Sequence, residues 1–185
     1  RSIGIEIVNE FKCRSTSDTD NESAPEDIDC DFPGYDDEQI ALVIELVSDI
    51  LARYPSIDPI DVVGHSDIAI LRKSDPGPKF PWKRLYEAGI GAWYEEDAKE
   101  NYEQRFAQHL PDTTTVQDAL NRLGYYVETT GQFDNATRYV MRAMQLHYRP
   151  DNYAGEIDAE SVAIIWALLE KYRPQELEAL LTARQ

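Results

Sequence analysis

The sequence predicts an α/β layer structure in its first half and a small all-α unit in its second half. Apolar alternation over residues 3–8 and the apolar run at 57–63 are typical of strands, and an amphipathic helix separates them. After Trp93 the pattern changes to helices alone, separated by glycine-containing connections. A chain of 185 residues is long enough for two small units of these kinds.

The first elements follow from local patterning. Residues 3–8 place three isoleucines on one face of a predicted strand, whereas residues 12–37 are polar, acidic and aperiodic, which indicates a long surface loop. Residues 38–54 have a wide apolar stripe with helical period, preceded by two aspartates that can cap the helix. Pro55 is expected to end this helix because proline cannot continue it.

The next segment brings candidate chemistry to the end of a predicted strand. Residues 57–63 are expected to form this strand and to place His65 at its end, followed by a loop over 66–79. Pro81 suits the first position of a short helix, which Gly89 is expected to end. Strand, loop and helix in this order favour an α/β arrangement.

The second half divides into a connector and a helical unit. We expect the first unit to occupy residues 1–94, a polar connecting helix and linker 95–112, and the helical unit 113–185. The three helical patterns begin at Thr115, at Asp134 or Asn135, and at Asp158, and Gly124 is expected to stop the first of them. Gly131-Gln132-Phe133-Asp134 and Gly155-Glu156-Ile157-Asp158 are alike, which hints at an internal duplication.

Charge excludes two classes of partner. The formal net charge is −17, with much of it in residues 18–38, so nucleic acid and anionic membrane surfaces would be repelled. No apolar run is long enough for a transmembrane segment, and no signal peptide is visible. The chain begins at Arg1 and leads directly into a predicted strand that needs neighbours. We therefore expect a further N-terminal segment of the same protein to be its partner.

Cys13 and Cys30 flank the acidic loop. In an oxidising compartment a disulfide between them would close this loop, with a stabilisation of about 3 kcal/mol in the chain-entropy model. Two unpaired thiols are the alternative, and the sequence leaves both open.

The segment from His65 to Asp75 has the composition of a metal site. A histidine and a carboxylate are zinc-type ligands, and Lys73 between them suits a place where negative charge develops. Glu6 stands within an apolar strand pattern, where burial would raise its pKa toward that of a general base. The alternatives are a structural histidine, a turn aspartate, a solvated lysine and a solvent-facing glutamate.

A catalytic zinc takes three protein ligands, and the sequence offers two good ones. His109 lies in the polar connector, and His147 lies on an apolar helix face, where a core or boundary position is expected. A third ligand is therefore expected before Arg1.

Two stretches resemble a known family: Ile3-Gly4-Ile5-Glu6-Ile7, and His65-Ser66-Asp67-Ile68-Ala69 with Arg72-Lys73-Ser74-Asp75-Pro76-Gly77-Pro78 and Phe80-Pro81-Trp82. They are similar to the zinc N-acetylmuramoyl-L-alanine amidases, although Ile70-Leu71 departs from the family's usual pair. The resemblance implies a mixed-sheet amidase domain flanked by helices. It also implies Zn²⁺ held by His65, Asp75 and an upstream histidine, with Glu6 as general base and Lys73 as transition-state stabiliser.

The second unit resembles the peptidoglycan-binding three-helix domain through Leu123-Gly124-Tyr125, Gly131-Gln132-Phe133-Asp134 and Met144-Gln145. Both resemblances together imply cleavage of the amide between N-acetylmuramic acid and L-alanine, in peptidoglycan or its muropeptide fragments. They also imply a periplasmic protein, anchored to the outer membrane by a lipid signal upstream of Arg1. A non-catalytic peptidoglycan-recognition protein and a zinc peptidase that cuts within the stem peptide are the competing interpretations.

Overall fold

A computed structural model describes residues 2–10, 12–15 and 28–182. Two short strands, β1 (Lys12–Ser15) and β2 (Ile28–Asp31), precede the helices. The helices are α1 (Asp37–Arg53), α2 (His65–Ile68), α3 (Trp82–Glu87), α4 (Glu96–Gln108), α5 (Thr113–Leu123), α6 (Asn135–Tyr148), α7 (Ala159–Tyr172) and α8 (Pro174–Thr182). None of the helices in these ranges is long and apolar enough to cross a membrane.

The α/β fold with a mixed sheet, expected for the first half, is wrong. In the described ranges the one sheet is the antiparallel pair β1–β2. Residues 3–8 form no strand, and Ile3 is 51% exposed. Residues 57–63 contain a 3₁₀ turn at Pro59–Asp61 instead of a strand. Apolar alternation marks a face that can be buried, but a strand also needs a neighbouring backbone, and no described residue supplies one.

The β1–β2 pair lies within the segment that was predicted to be a loop. Its register places Cys13 opposite Cys30. Residues 16–27, with most of the acidic loop, lie outside the described residues, and so do the side chains of both cysteines. The disulfide therefore stays a prediction.

The predicted helix at 38–54 is confirmed as α1. Asp36 caps it, since its carboxylate accepts hydrogen bonds from the backbone N–H groups of Glu38 and Gln39. The apolar stripe buries Ile40, Val43 and Val47, and the helix ends just before Pro55.

The helical second half is also confirmed, with two differences. Asp112, rather than the predicted Thr115, caps α5, and Gly124 ends this helix with a φ of 118° that suits glycine. The predicted starts of α6 and α7 are correct, with Asp134 and Asp158 as their caps. Helix α8 was not predicted.

The two similar glycine-containing connections share one hydrogen-bond pattern. In each of them a buried glutamine accepts a hydrogen bond from a glycine N–H and donates one to a hydroxyl in the first turn of the next helix. The two sets are Gln117 with Gly131 and Thr137, and Gln145 with Gly155 and Ser161. Both glutamines therefore tie a helix to the loop that follows it.

One apolar core spans both halves, from Ile40 in α1 to Leu180 in α8. Helix α4, predicted as a connector, packs along α7. Tyr172 of α7 also exchanges two hydrogen bonds with the backbone of Trp93, at 3.1 Å from the Trp93 nitrogen and 3.0 Å to its oxygen. Whether residue 94 is a domain boundary stays a prediction.

Candidate active site

His65 and Asp75, the two predicted ligands, lie next to each other. Nδ1 of His65 is 2.6 Å from Oδ2 of Asp75, and the side chains are 41% and 29% exposed. The backbone N–H of Ser66 donates to the carbonyl of Asp75 at 2.8 Å, which closes the loop between them. The expected strand end is wrong, because His65 is instead the first residue of the one-turn helix α2.

Close backbone packing frames this loop. A Cβ atom on Gly64 would lie 2.5 Å from Cδ of Pro76, so only glycine fits beside the Asp75-Pro76 segment. The hydroxyl of Tyr35 donates to the Pro76 carbonyl at 2.9 Å. The loop is therefore held at both of its ends.

Lys73 lies beside the pair. Its Nζ is 4.0 Å from Oδ1 of Asp75, and its side chain is nearly half exposed. The cation can therefore reach both the carboxylate and solvent, which suits a group that meets a negatively charged species at the loop.

Glu6 lines the same cavity of about 1500 Å³ as His65, Lys73 and Asp75. The expected burial of Glu6 is wrong, because residues 2–6 are exposed and form no strand. The structure thus brings four predicted residues to one cavity, with Glu6 on a separate segment from the other three.

The remaining histidines do not join this cavity. His109 caps the end of α4 and is exposed, whereas His147 is 1% exposed and so takes the core position of the two predicted for it. Among the described ranges, no group of three histidine, cysteine, aspartate or glutamate side chains is placed to hold a metal ion. His65 and Asp75 are thus two ligand candidates of the three that a catalytic zinc needs.

Asp67 is a residue to which sequence reasoning gave no role. Its carboxylate is buried and accepts from the backbone N–H of Gly64 at 2.8 Å, from the Tyr125 hydroxyl at 2.6 Å and from Nδ1 of His147 at 2.9 Å. The available local signal was an aspartate three residues after a glycine that precedes a helix. No local signal points to Tyr125 or His147.

Comparison with known proteins gives this arrangement a context. Residues 1–78 match the N-acetylmuramoyl-L-alanine amidase family model, and residues 109–165 match that of a peptidoglycan binding domain. The first segment of the chain is therefore similar to N-acetylmuramoyl-L-alanine amidases, and the second to a peptidoglycan binding domain. His65, Lys73, Asp75 and Glu6 all lie within the matched amidase segment.

Relatives match across both segments. The N-acetylmuramoyl-L-alanine amidase AmiD of Escherichia coli is 46% identical over 142 residues, which are 76% of this chain and 51% of AmiD. The crystal structure of AmpDh3 from Pseudomonas aeruginosa superimposes with a TM-score of 0.74 at 46% identity, over 78% of this chain and 57% of that one. The chain therefore spans about half the length of the relatives it matches.

Two of the matching structures contain ligands. AmpDh3 was solved in complex with anhydromuramic pentapeptide. AmiD of Escherichia coli was solved with the substrate anhydro-N-acetylmuramic acid-L-Ala-D-gamma-Glu-L-Lys, and it matches with a TM-score of 0.70 at 43% identity.

Proposed function

We propose that the protein is a zinc-dependent hydrolase that cleaves the amide bond between N-acetylmuramic acid and L-alanine in peptidoglycan or its fragments. The observation that supports this most directly is the convergence of His65 and Asp75 within the segment that matches the amidase family. The muropeptide ligands of AmpDh3 and AmiD support the substrate class.

The donor atoms of the loop fit zinc. An imidazole nitrogen and a carboxylate oxygen face each other at a partly exposed position, and both atom types are zinc ligands. His65 and Asp75 would hold the ion together with a third ligand from outside the described residues. When bound, zinc lowers the pKa of water to about 7 and polarises a carbonyl group.

The other two residues supply proton transfer and charge. Glu6 would accept the proton of the attacking water and then donate it to the leaving nitrogen of L-alanine. Lys73 would stabilise the negative charge that develops on the carbonyl oxygen. The amide carbonyl must therefore be bound between Lys73 and the Glu6 segment, which both line the cavity.

The second unit supports a wall-associated role, because its match is to a peptidoglycan-binding domain. We propose that this unit holds the protein on peptidoglycan and that the protein acts in the periplasm. Anchoring to the outer membrane by lipid stays a prediction.

The first test of this function uses Glu6→Ala in the full natural protein. We expect zinc content, measured by elemental analysis, to stay near that of the unmodified protein, because Glu6 is not a proposed ligand. Turnover should fall by about 10²- to 10⁴-fold, the usual contribution of a general base. Mass spectrometry of muropeptide digests reports turnover as release of an intact peptide that begins with L-alanine.

Glu10→Ala is the matched control, since Glu10 is an exposed carboxylate on the same segment that does not line the cavity. Its turnover should be unchanged. Normal turnover in Glu6→Ala would refute the role of Glu6. Products cut within the stem peptide would favour the peptidase, and a protein that binds muropeptides without zinc or cleavage would be a recognition protein.

A further inference from the structure

Asp67 joins the two halves of the chain at a buried position. Its side chain is 3% exposed and receives hydrogen bonds from both sides. Gly64 donates from the loop that positions His65, and Tyr125 and His147 donate from the second unit. We call Asp67, Tyr125 and His147 the aspartate junction.

The Asp67 carboxylate accepts three hydrogen bonds, and each comes from an identified donor. A carboxylate only accepts hydrogen bonds, so Nδ1 of His147 carries the proton in this contact. Burial, and then the negative charge of Asp67, raise the pKa of Tyr125 well above its ordinary value, so the phenol stays a donor. Removing one donor would leave part of a buried charge unsatisfied, which costs more than an exposed hydrogen bond contributes.

Aromatic stacking fixes His147 itself. Its ring stacks on Trp82 of the first half, with centroids 3.9 Å apart and an interplanar angle of 16°. Tyr148 stacks on the ring as well, at 4.0 Å. The imidazole is thus held in one orientation toward Asp67 by residues from both halves.

The junction acts at the turn that begins with His65. Asp67 lies two residues after His65, and α2 is only four residues long. The carboxylate of Asp67 bonds the N–H of the residue just before His65. The direction of the His65 side chain depends on the backbone of this single turn, so a change in Asp67 shifts the candidate ligand.

We propose that Tyr125 and His147 are positioning residues that set the geometry of His65 from the second unit, through Asp67. The peptidoglycan-binding unit would then be part of the metal site's support as well as a wall anchor. This inference rests on the proposed function for its link to zinc, but the effect on the turn itself is independent of metal.

The test compares Tyr125→Phe with Tyr172→Phe in the full natural protein. Each variant removes one tyrosine hydroxyl, buried in Tyr125 and half-buried in Tyr172, that forms a hydrogen bond between the two halves. The hydroxyl of Tyr172 donates to the backbone of Trp93, away from the turn at His65. For Tyr125→Phe we expect amide hydrogen exchange over residues 65–69 to accelerate about tenfold, and zinc affinity in chelator competition to fall about tenfold. Tyr172→Phe should change neither.

A second pair tests the histidine. His147→Asn retains an N–H donor near the position of Nδ1 and should keep most of the zinc affinity, whereas His147→Leu should lose it about as much as Tyr125→Phe. Unchanged exchange at 65–69 in Tyr125→Phe, or equal effects of Tyr125→Phe and Tyr172→Phe, would overturn the inference. If the unmodified protein bound no zinc, the proposed function would fail, while the exchange data would still decide on the junction.

Discussion

At the scale of single residues, the candidate site depends on a short loop that returns to its own beginning. The Ser66–Asp75 backbone hydrogen bond fixes the spacing of the two ligand candidates, and the loop carries Lys73 next to Asp75. The charge of Lys73 is therefore placed by the same loop that places the ligands.

Lys73→Met tests this placement. The variant keeps a long apolar side chain but removes the cation, so we expect kcat for muropeptide cleavage to fall about 10²-fold, as for loss of one oxyanion stabiliser. KM and zinc content should change little. Lys79→Met is the control, because Lys79 is exposed and does not line the cavity. A change mainly in KM would assign Lys73 to substrate binding instead.

A contact in the site could be predicted only when its two residues are close together in the sequence. His65 and Asp75 are ten residues apart, so residue type and spacing were enough to pair them. Asp67 meets Tyr125 and His147 across 58 and 80 residues, and such contacts depend on how the helices pack. The burial of Glu6 was wrong because it depended on a strand that the described residues do not form.

At the scale of elements, aspartate caps define where three helices of the second half, α5 to α7, begin. Asp112, Asp134 and Asp158 each accept a hydrogen bond from the backbone N–H three residues later. Capping and helical periodicity are local, which explains why α1 and α3 to α7 were predicted. Helix α8 was missed because Pro174 follows α7 after a single residue, and such a proline is easily interpreted as a terminator.

Asp158→Ala tests the cap of α7. Burial acts to raise the pKa of Asp158, but hydrogen bonds from Ser161 and Arg149 outweigh it, so the pKa lies below its ordinary value of 3.8. A carboxylate whose pKa is lower in the folded state than in the unfolded state stabilises the protein at pH values above the unfolded pKa. This stabilisation is lost as the pH falls through the folded pKa. Urea unfolding at pH 7 should show a loss of about 1 kcal/mol.

The difference between Asp158→Ala and the unmodified protein should shrink as pH falls from 3.8 through the lower pKa of the folded state, because the carboxylate of the unfolded chain is protonated first. Asp151→Ala, at an exposed turn position, should leave the free energy of unfolding nearly unchanged. A pH-independent difference for Asp158→Ala would contradict the contribution of the charge.

At the scale of the whole molecule, the described halves share one apolar core and several polar contacts, among them the aspartate junction and the Trp93–Tyr172 pair. Sequence patterning separated the halves because composition changes after Trp93. The same patterning could not predict that α2 packs against α6, because this contact joins segments that are far apart in the chain.

A shared core predicts one cooperative unfolding transition. Hydrogen exchange of α1 and α7, followed across a urea series, should give the same free energy of opening for the most protected amides of both helices. The short helix α2 serves as an internal reference, because it should also open locally at lower urea. Loss of protection in α1 at clearly lower urea than in α7 would show that the halves unfold separately.

The stretch between the two ligand candidates has a further consequence. Leu71 is 73% exposed, and the turn from Ala69 to Lys73 is closed by its own backbone hydrogen bonds. The side chain at 71 can therefore vary while the rim of the cavity keeps its shape, whereas Ile70 is partly buried and packs against the core. For protein engineering, this rim is the natural place to graft new contacts with the sugar or peptide of the proposed muropeptide substrate.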